Sequence, residues 1–308
     1  MNDWIGARCR LPGSALHLAI IRIVFAMHAL TVLTSPSLPL IRRLSDEPLL
    51  STHTMLPPAL EQLVIRRLDL IIAVGVIAAV FVIVGLATRT ASWILLAVFL
   101  STQNYFFRFS LFHDDWLYFN FYLLVLCLSR SADRLALDAL IRPRPAAASP
   151  AYRWPVEVMI GWFSLVYISA GIAKLMPLRK GVLWLGGSSL QHFAVHFYFD
   201  SPIYWLLGHP LFDYSTRWPF CVGAVATVLI ELSAGLLLVT RTADAWIVGA
   251  IILLHVGVAL LGIPGFVQIS ILSSLLFLRP RSSVTAASSG SSGHIARSPT
   301  RRSARRGA

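Results

Sequence analysis

Apolar residues in this chain gather into long windows; they neither alternate with polar ones nor recur on one face at the helical period. Eight windows separate, at 15–33, 70–86, 91–107, 116–128, 155–175, 219–239, 245–261 and 264–278. A helix crossing a hydrocarbon core needs roughly 17–25 residues. The pattern therefore predicts an all-α, polytopic transmembrane helical bundle of about eight membrane segments, with no soluble β domain. The fourth window is short unless it begins between Phe106 and Phe112, and four residues from Gly262 to Gly265 part the last two. Seven spans and a re-entrant piece are the alternative. The first window is too long for a signal core and no small-residue cleavage site follows it, so it reads as a retained span.

Composition narrows the class. With 56% hydrophobic and 13% charged residues and a mean hydropathy of +0.72, the chain is not a water-soluble globule of ordinary surface. Of the formal charge of +12, seven units are arginines between Arg279 and Arg306, which leaves +5 for the rest. The Ser/Gly/Arg-rich stretch 279–308 cannot form a core and is expected to be disordered. On a membrane protein such a tail reads as a topology and lipid signal, and no nucleic-acid partner is expected. With the N-terminus inside, sixteen Arg and Lys fall on the inner side and eight on the outer. Both termini are thus expected to be cytoplasmic, with 1–14 a short N-terminal segment and 15–278 the transmembrane domain. The Pro/Ala linker 142–150 divides the chain after its fourth segment, and the aromatic stretch 176–218 should cap the bundle. Cys9, Cys127 and Cys221 are scattered, giving neither a disulfide framework nor a thiolate metal site.

The ionisable residues within apolar windows are the candidate chemistry, because a charge at the centre of a spanning helix costs ~2.5–3.5 kcal/mol on translocon scales. Lys174 ends the fifth window, and the alternation of segments puts Asp114 and Asp115 at its level, with His28 and His255 toward the same outer side and Glu231 somewhat deeper. Tyr167, Gly171 and Lys174 lie at i, i+4 and i+7, on one helical face. Gly171, with Ala170, lets a second helix or a flat ligand approach the backbone. A lysine stripped of water can serve as a general base, whereas Asp114 or Asp115 beside it would hold it charged.

Each residue also has a structural reading. Lys174, ahead of Arg179 and Lys180, can anchor its helix at the headgroups. Asp114 and Asp115 can cap a helix that starts near Trp116. His28 and His255 can be hydrogen-bonded packing residues, and Glu231 can pair with Arg22, midway along the first segment. His192 and His196 face one side of a helix but supply half a coordination shell, with only His209 or Asp200 to add to it; no metal is expected.

The run Tyr167-Ile-Ser-Ala-Gly-Ile-Ala-Lys174-Leu175, followed by Trp184-Leu-Gly-Gly187, resembles the Y-x-x-A-G-x-x-K-L…W-x-x-G signature of HTTM-type membrane domains. The best-known member of that family is vitamin K-dependent γ-glutamyl carboxylase. The stretch from Arg22 to Ala26, His113 to Leu117, Ser131 to Asp138, Ile230 to Leu232 and His255 are similar to other parts of the family, so the resemblance runs from Ala15 to Leu278. It implies that Lys174 is the base toward reduced vitamin K, or a quinol such as reduced menaquinone, in a reaction that carboxylates glutamate. Asp114, Tyr167, Glu231 and His255 would place or polarise the substrate, and Gly171, Trp184 and His28 would line the cofactor's place. The carboxylase has an Asn-His pair where this chain has His113-Asp114. Compact bacterial relatives include accessory proteins in the maturation of secreted toxin peptides. A non-enzymatic accessory role in the maturation or protection of a secreted peptide is therefore the alternative, and a bacterial inner membrane is the expected location under either reading.

Overall fold

Apolar stretches of this length have no water to satisfy their peptide groups, so each closes its hydrogen bonds within itself as a helix. The computed structural model describes residues 4–35, 57–107, 114–143, 147–176, 184–210, 212–240, 243–262 and 267–278. His113 and the expected disordered tail, 279–308, lie outside these. Among the described residues there is no strand; one antiparallel bridge joins Gly13 to Ser149. The helices are α1 (Trp4–Cys9), α2 (Ala15–Leu33), α3 (Pro58–Arg66), α4 (Leu68–Val84), α5 (Thr88–Phe107), α6 (Asp114–Leu128) and α7 (Leu137–Ile141). They continue with α8 (Pro150–Leu175), α9 (Ser188–His196), α10 (Pro202–Leu207), α11 (Trp218–Ser233), α12 (Leu236–Val239), α13 (Asp244–Leu260) and α14 (Val267–Ser274).

Each of the eight apolar windows contains helix among the described residues, but length and apolarity single out fewer spans than eight. Three helical stretches suffice to cross a bilayer: α2, α8 and the run Trp218–Val239 that joins α11 to α12. A fourth arises if α3 and α4, bent by 76° at their junction, form one broken span. The apolar stretch Leu117–Leu128 and α13 are shorter. In α5 the apolar run is interrupted by Thr88, Arg89 and Thr90 at one end and by Ser101, Thr102 and Gln103 at the other. Helices of this length and apolarity make the molecule an integral membrane protein.

Local chemistry sets where helices begin. Ser14 accepts a hydrogen bond from the His17 amide at the start of α2, and Ser149 does the same for Ala151 at the start of α8, where Pro150 occupies the first turn. The Gly13–Ser149 bridge ties these two starts together, so α2 and α8 set out from the same end of the bundle. His17 Nε2 lies 2.7 Å from the Leu275 carbonyl at that end, and Arg8 donates to the carbonyls of Leu237, Leu238 and Val239. The last turns of α12 and the segment after α14 are thereby satisfied by side chains from the N-terminus.

Arg22 is the fully buried cation of this end. Its guanidinium donates to the carbonyls of Ser131, at 2.7 Å, and of Arg134 and Leu135. The expected pairing of Arg22 with Glu231 is thus not formed: Arg22 is used by the loop between α6 and α7, and Glu231 by another residue. Three carbonyls hold the guanidinium fork in a geometry that one carboxylate on a distant helix turn would not supply. Asp138, just beyond, accepts from the amides of Ala87 and Thr88 and from the Thr88 hydroxyl, which caps α5. Burial pushes the Asp138 carboxyl up, but those three donors and the nearby Arg22 together hold it below the usual range.

Candidate functional site

The opposite end of the bundle contains a cavity of about 460 Å³ between α6, α8, α11 and α13, roofed by α9. Its walls are mostly apolar, from Leu117, Val166, Ala170, Leu190, Phe193 and Val258 among others. The polar groups are concentrated in Lys174, Glu231, Tyr167 and His255.

Lys174 projects from the last turn of α8 and donates to both carboxylate oxygens of Glu231 on α11, at 2.7 and 2.8 Å. The side chains are 21% and 7% exposed, so the pair is largely withdrawn from solvent. Their proximity depends on Gly171, one turn back on α8. A Cβ there would sit 2.9 Å from Leu232 Cδ2 and 3.3 Å from Glu231 Cβ. The missing methyl lets α8 and α11 approach until lysine and glutamate meet. Gly171 therefore faces the neighbouring helix and is not part of the cavity wall.

Trp184 is set by the turn that precedes α9. Gly187 has φ +74°, and a Cβ on it would lie 2.5 Å from the Cys221 amide nitrogen. The turn thus rests directly on the first turn of α11, where Arg217 Nε and Cys221 Sγ donate to the Gly186 carbonyl at 2.7 and 3.1 Å. This seating puts the Lys174 ammonium 5.4 Å from the centre of the Trp184 ring, within the range of a cation–π contact. The lysine is held between a carboxylate and an aromatic face, with the cavity beside it.

A second polar group flanks the first. The Tyr167 hydroxyl lies 2.7 Å from His255 Nε2 on α13 and 3.1 Å from Ser270 Oγ on α14. Phenol and imidazole can share this hydrogen bond while both remain uncharged. Together the two groups give the cavity an ion pair and, beside it, a phenol–imidazole donor–acceptor pair. The arrangement can orient a ring that carries hydroxyl or carbonyl groups and can accept or return a proton at either.

Of the residues singled out in the sequence, Lys174, Glu231, Tyr167, His255 and Trp184 converge on this cavity. His28 does not line it; its ring packs edge-on against Phe119, 5.2 Å between centroids. Asp114 begins α6, but its side chain lies outside the described residues, as does His113. His192 and His196 stand 6.0 Å apart on the exposed side of α9, and among the described residues no group of three or more possible metal ligands forms. Sequence reasoning missed Ser270, which meets the Tyr167 hydroxyl, and Tyr118, which also lines the cavity. Ser270 had a signal, a hydroxyl within the apolar run of α14. Tyr118 had none, because an aromatic residue beside Leu117 and Phe119 reads as ordinary core.

Neither the curated proteins nor the solved structures contain a match to this chain. The family model of the HTTM domain matches residues 12–281. That stretch includes every helix from α2 to α14 and the whole cavity wall, and the chain therefore belongs to the HTTM family, whose domain is that of vitamin K-dependent carboxylase-like proteins.

Proposed function

We propose that the cavity takes a lipid-soluble quinol, such as reduced menaquinone or reduced vitamin K, and that Lys174 is the base toward it. The observation that carries this reading is the Lys174–Glu231 pair on the wall of an apolar cavity, at distances of 2.7 and 2.8 Å. The volume of about 460 Å³ suits a fused ring, since small-molecule sites occupy roughly 300–1,000 Å³. Such a quinol supplies reducing equivalents to oxygen and, in the family's carboxylase, the drive for carboxylation of glutamate. In this chain the Lys174 ammonium would pass a proton to Glu231 and the freed amine would take the hydroxyl proton of the quinol, while Tyr167 and His255 would hold the ring beside the pair and Trp184 would close the headgroup side.

The same reading places the cavity in the outer half of a bundle of about eight membrane segments in a bacterial inner membrane, both termini cytoplasmic. The runner-up is a non-enzymatic accessory protein for a secreted peptide. In that case the ion pair would serve only to hold α8 against α11.

Purified protein in lipid, supplied with reduced menaquinone or vitamin K, oxygen and carbon dioxide, distinguishes these readings. Quinol consumption or peptide carboxylation that depends on Lys174 is the expected result. If neither occurs with the native chain, or if both survive Lys174→Ala, the base assignment fails.

A further inference from the structure

The charges of the cavity constrain what it can accept. Both oxygens of Glu231 are engaged by the Lys174 ammonium, so among the described lining residues the positive and the negative charge cancel. Both side chains are largely buried, and the surrounding wall is apolar. An anionic ligand that accepted the remaining Lys174 N–H would bring its charge against the Glu231 carboxylate, and one that displaced Glu231 would leave that carboxylate without its cation in a poorly solvated place. A cationic ligand competing for Glu231 would strand Lys174 in the same way. A neutral ring with a hydroxyl faces neither penalty: its O–H can donate to Glu231 while its oxygen accepts from Lys174, and the ion pair stays whole.

We infer that Glu231 is the residue that sets the charge selectivity of this site, making it specific for uncharged, hydroxyl-bearing rings and closed to carboxylate- or phosphate-bearing ones. This rests on the reading of the cavity as a ring-binding site. It adds to that reading a rule about ligand charge that comes from the carboxylate and not from the lysine.

Three probes with one ring system and three charges test it: 1-naphthol, 1-naphthoate and 1-naphthylmethylammonium. Binding to the native protein in lipid nanodiscs near neutral pH is measured by tryptophan fluorescence, with partitioning into empty nanodiscs subtracted. The native protein should prefer naphthol over either ion by about tenfold or more. Glu231→Gln, which leaves Lys174 uncompensated, should raise naphthoate affinity about tenfold or more relative to naphthol and reverse their order. The Lys174→Gln/Glu231→Gln double variant, neutral again, should rank naphthol first and serves where the single variant does not fold. Equal binding of naphthol and naphthoate by the native protein, or an unchanged order in folded Glu231→Gln, overturns the selectivity rule while leaving a ring-binding cavity intact. Absence of binding by all three probes overturns the rule and the ring-binding reading together.

Discussion

Two buried cations, Arg22 and Lys174, occupy opposite ends of this bundle, and their surroundings differ in kind. Arg22 is wholly buried and donates to backbone carbonyls of the α6–α7 loop. Those carbonyls are fixed by the chain itself, and the tight packing beside them is continued by Asp138 on the start of α5. Lys174 is satisfied instead by a side chain, Glu231, and has a cavity next to it. A cation held by fixed backbone oxygens can only support the fold. One held by a carboxylate side chain beside open space can engage a ligand next to that partner or give up a proton. The same desolvation problem thus has a structural solution at one end and a chemically usable one at the other.

The sharpest way to break this contrast is to remove each cation in turn and read activity and stability separately. Lys174→Ala should lower quinol-dependent turnover about 10²–10⁴-fold, the usual contribution of a general base, with a smaller stability loss because the pair retains some solvent access. Turnover assays alongside thermal denaturation in detergent check both halves. Arg22→Met should reverse the balance: about 3–5 kcal/mol of stability is lost as buried carbonyls lose their donors, and whatever folds should retain its affinity for a neutral ring. If Arg22→Met abolished ring binding at temperatures below its melting transition, the division between the two ends would collapse.

Smaller effects sharpen the comparison. Gly171→Ala pushes a methyl to within 2.9 Å of Leu232 Cδ2 and should cost about 1–3 kcal/mol by overpacking. Because the shift separates Lys174 from Glu231, ring affinity should fall more than stability does, which binding and melting measured on the same preparation would reveal. The smallest effect belongs to Asp138. Its folded carboxyl titrates below its unfolded value, so its contribution is present above the unfolded value and fades as pH falls through the folded one. Asp138→Asn should cost about 1 kcal/mol near neutral pH, as for loss of a helix cap, and should flatten the acid limb of the stability profile. A melting temperature that falls equally with acid in both proteins would contradict the assignment.

Much of the molecule was legible beforehand because it rests on local rules. The helices follow from apolar windows, and Lys174, Tyr167 and Glu231 stood out because ionisable or phenolic groups within such windows need partners. The number of spans was less legible: windows that read alike in hydropathy became helices of different length, and α3, which lies outside every apolar window, joins α4 at a sharp bend. The Arg22–Glu231 pairing failed for a related reason. Charge complementarity names a possible partner, but a guanidinium has several donors and found carbonyls in a loop whose fold no periodicity announces. His28 likewise shares the polar character of the site residues, yet its ring meets Phe119.

The sequence by itself determined that this chain is a helical membrane protein and that the run from Tyr167 to Lys174 carries a phenol and an amine on one face, since both follow from composition and the helical repeat. Only the tertiary structure decided which cation meets which acid. That choice depends on how closely α8 and α11 approach at Gly171 and on where the α6–α7 loop presents its carbonyls, and neither distance is encoded within a single helix.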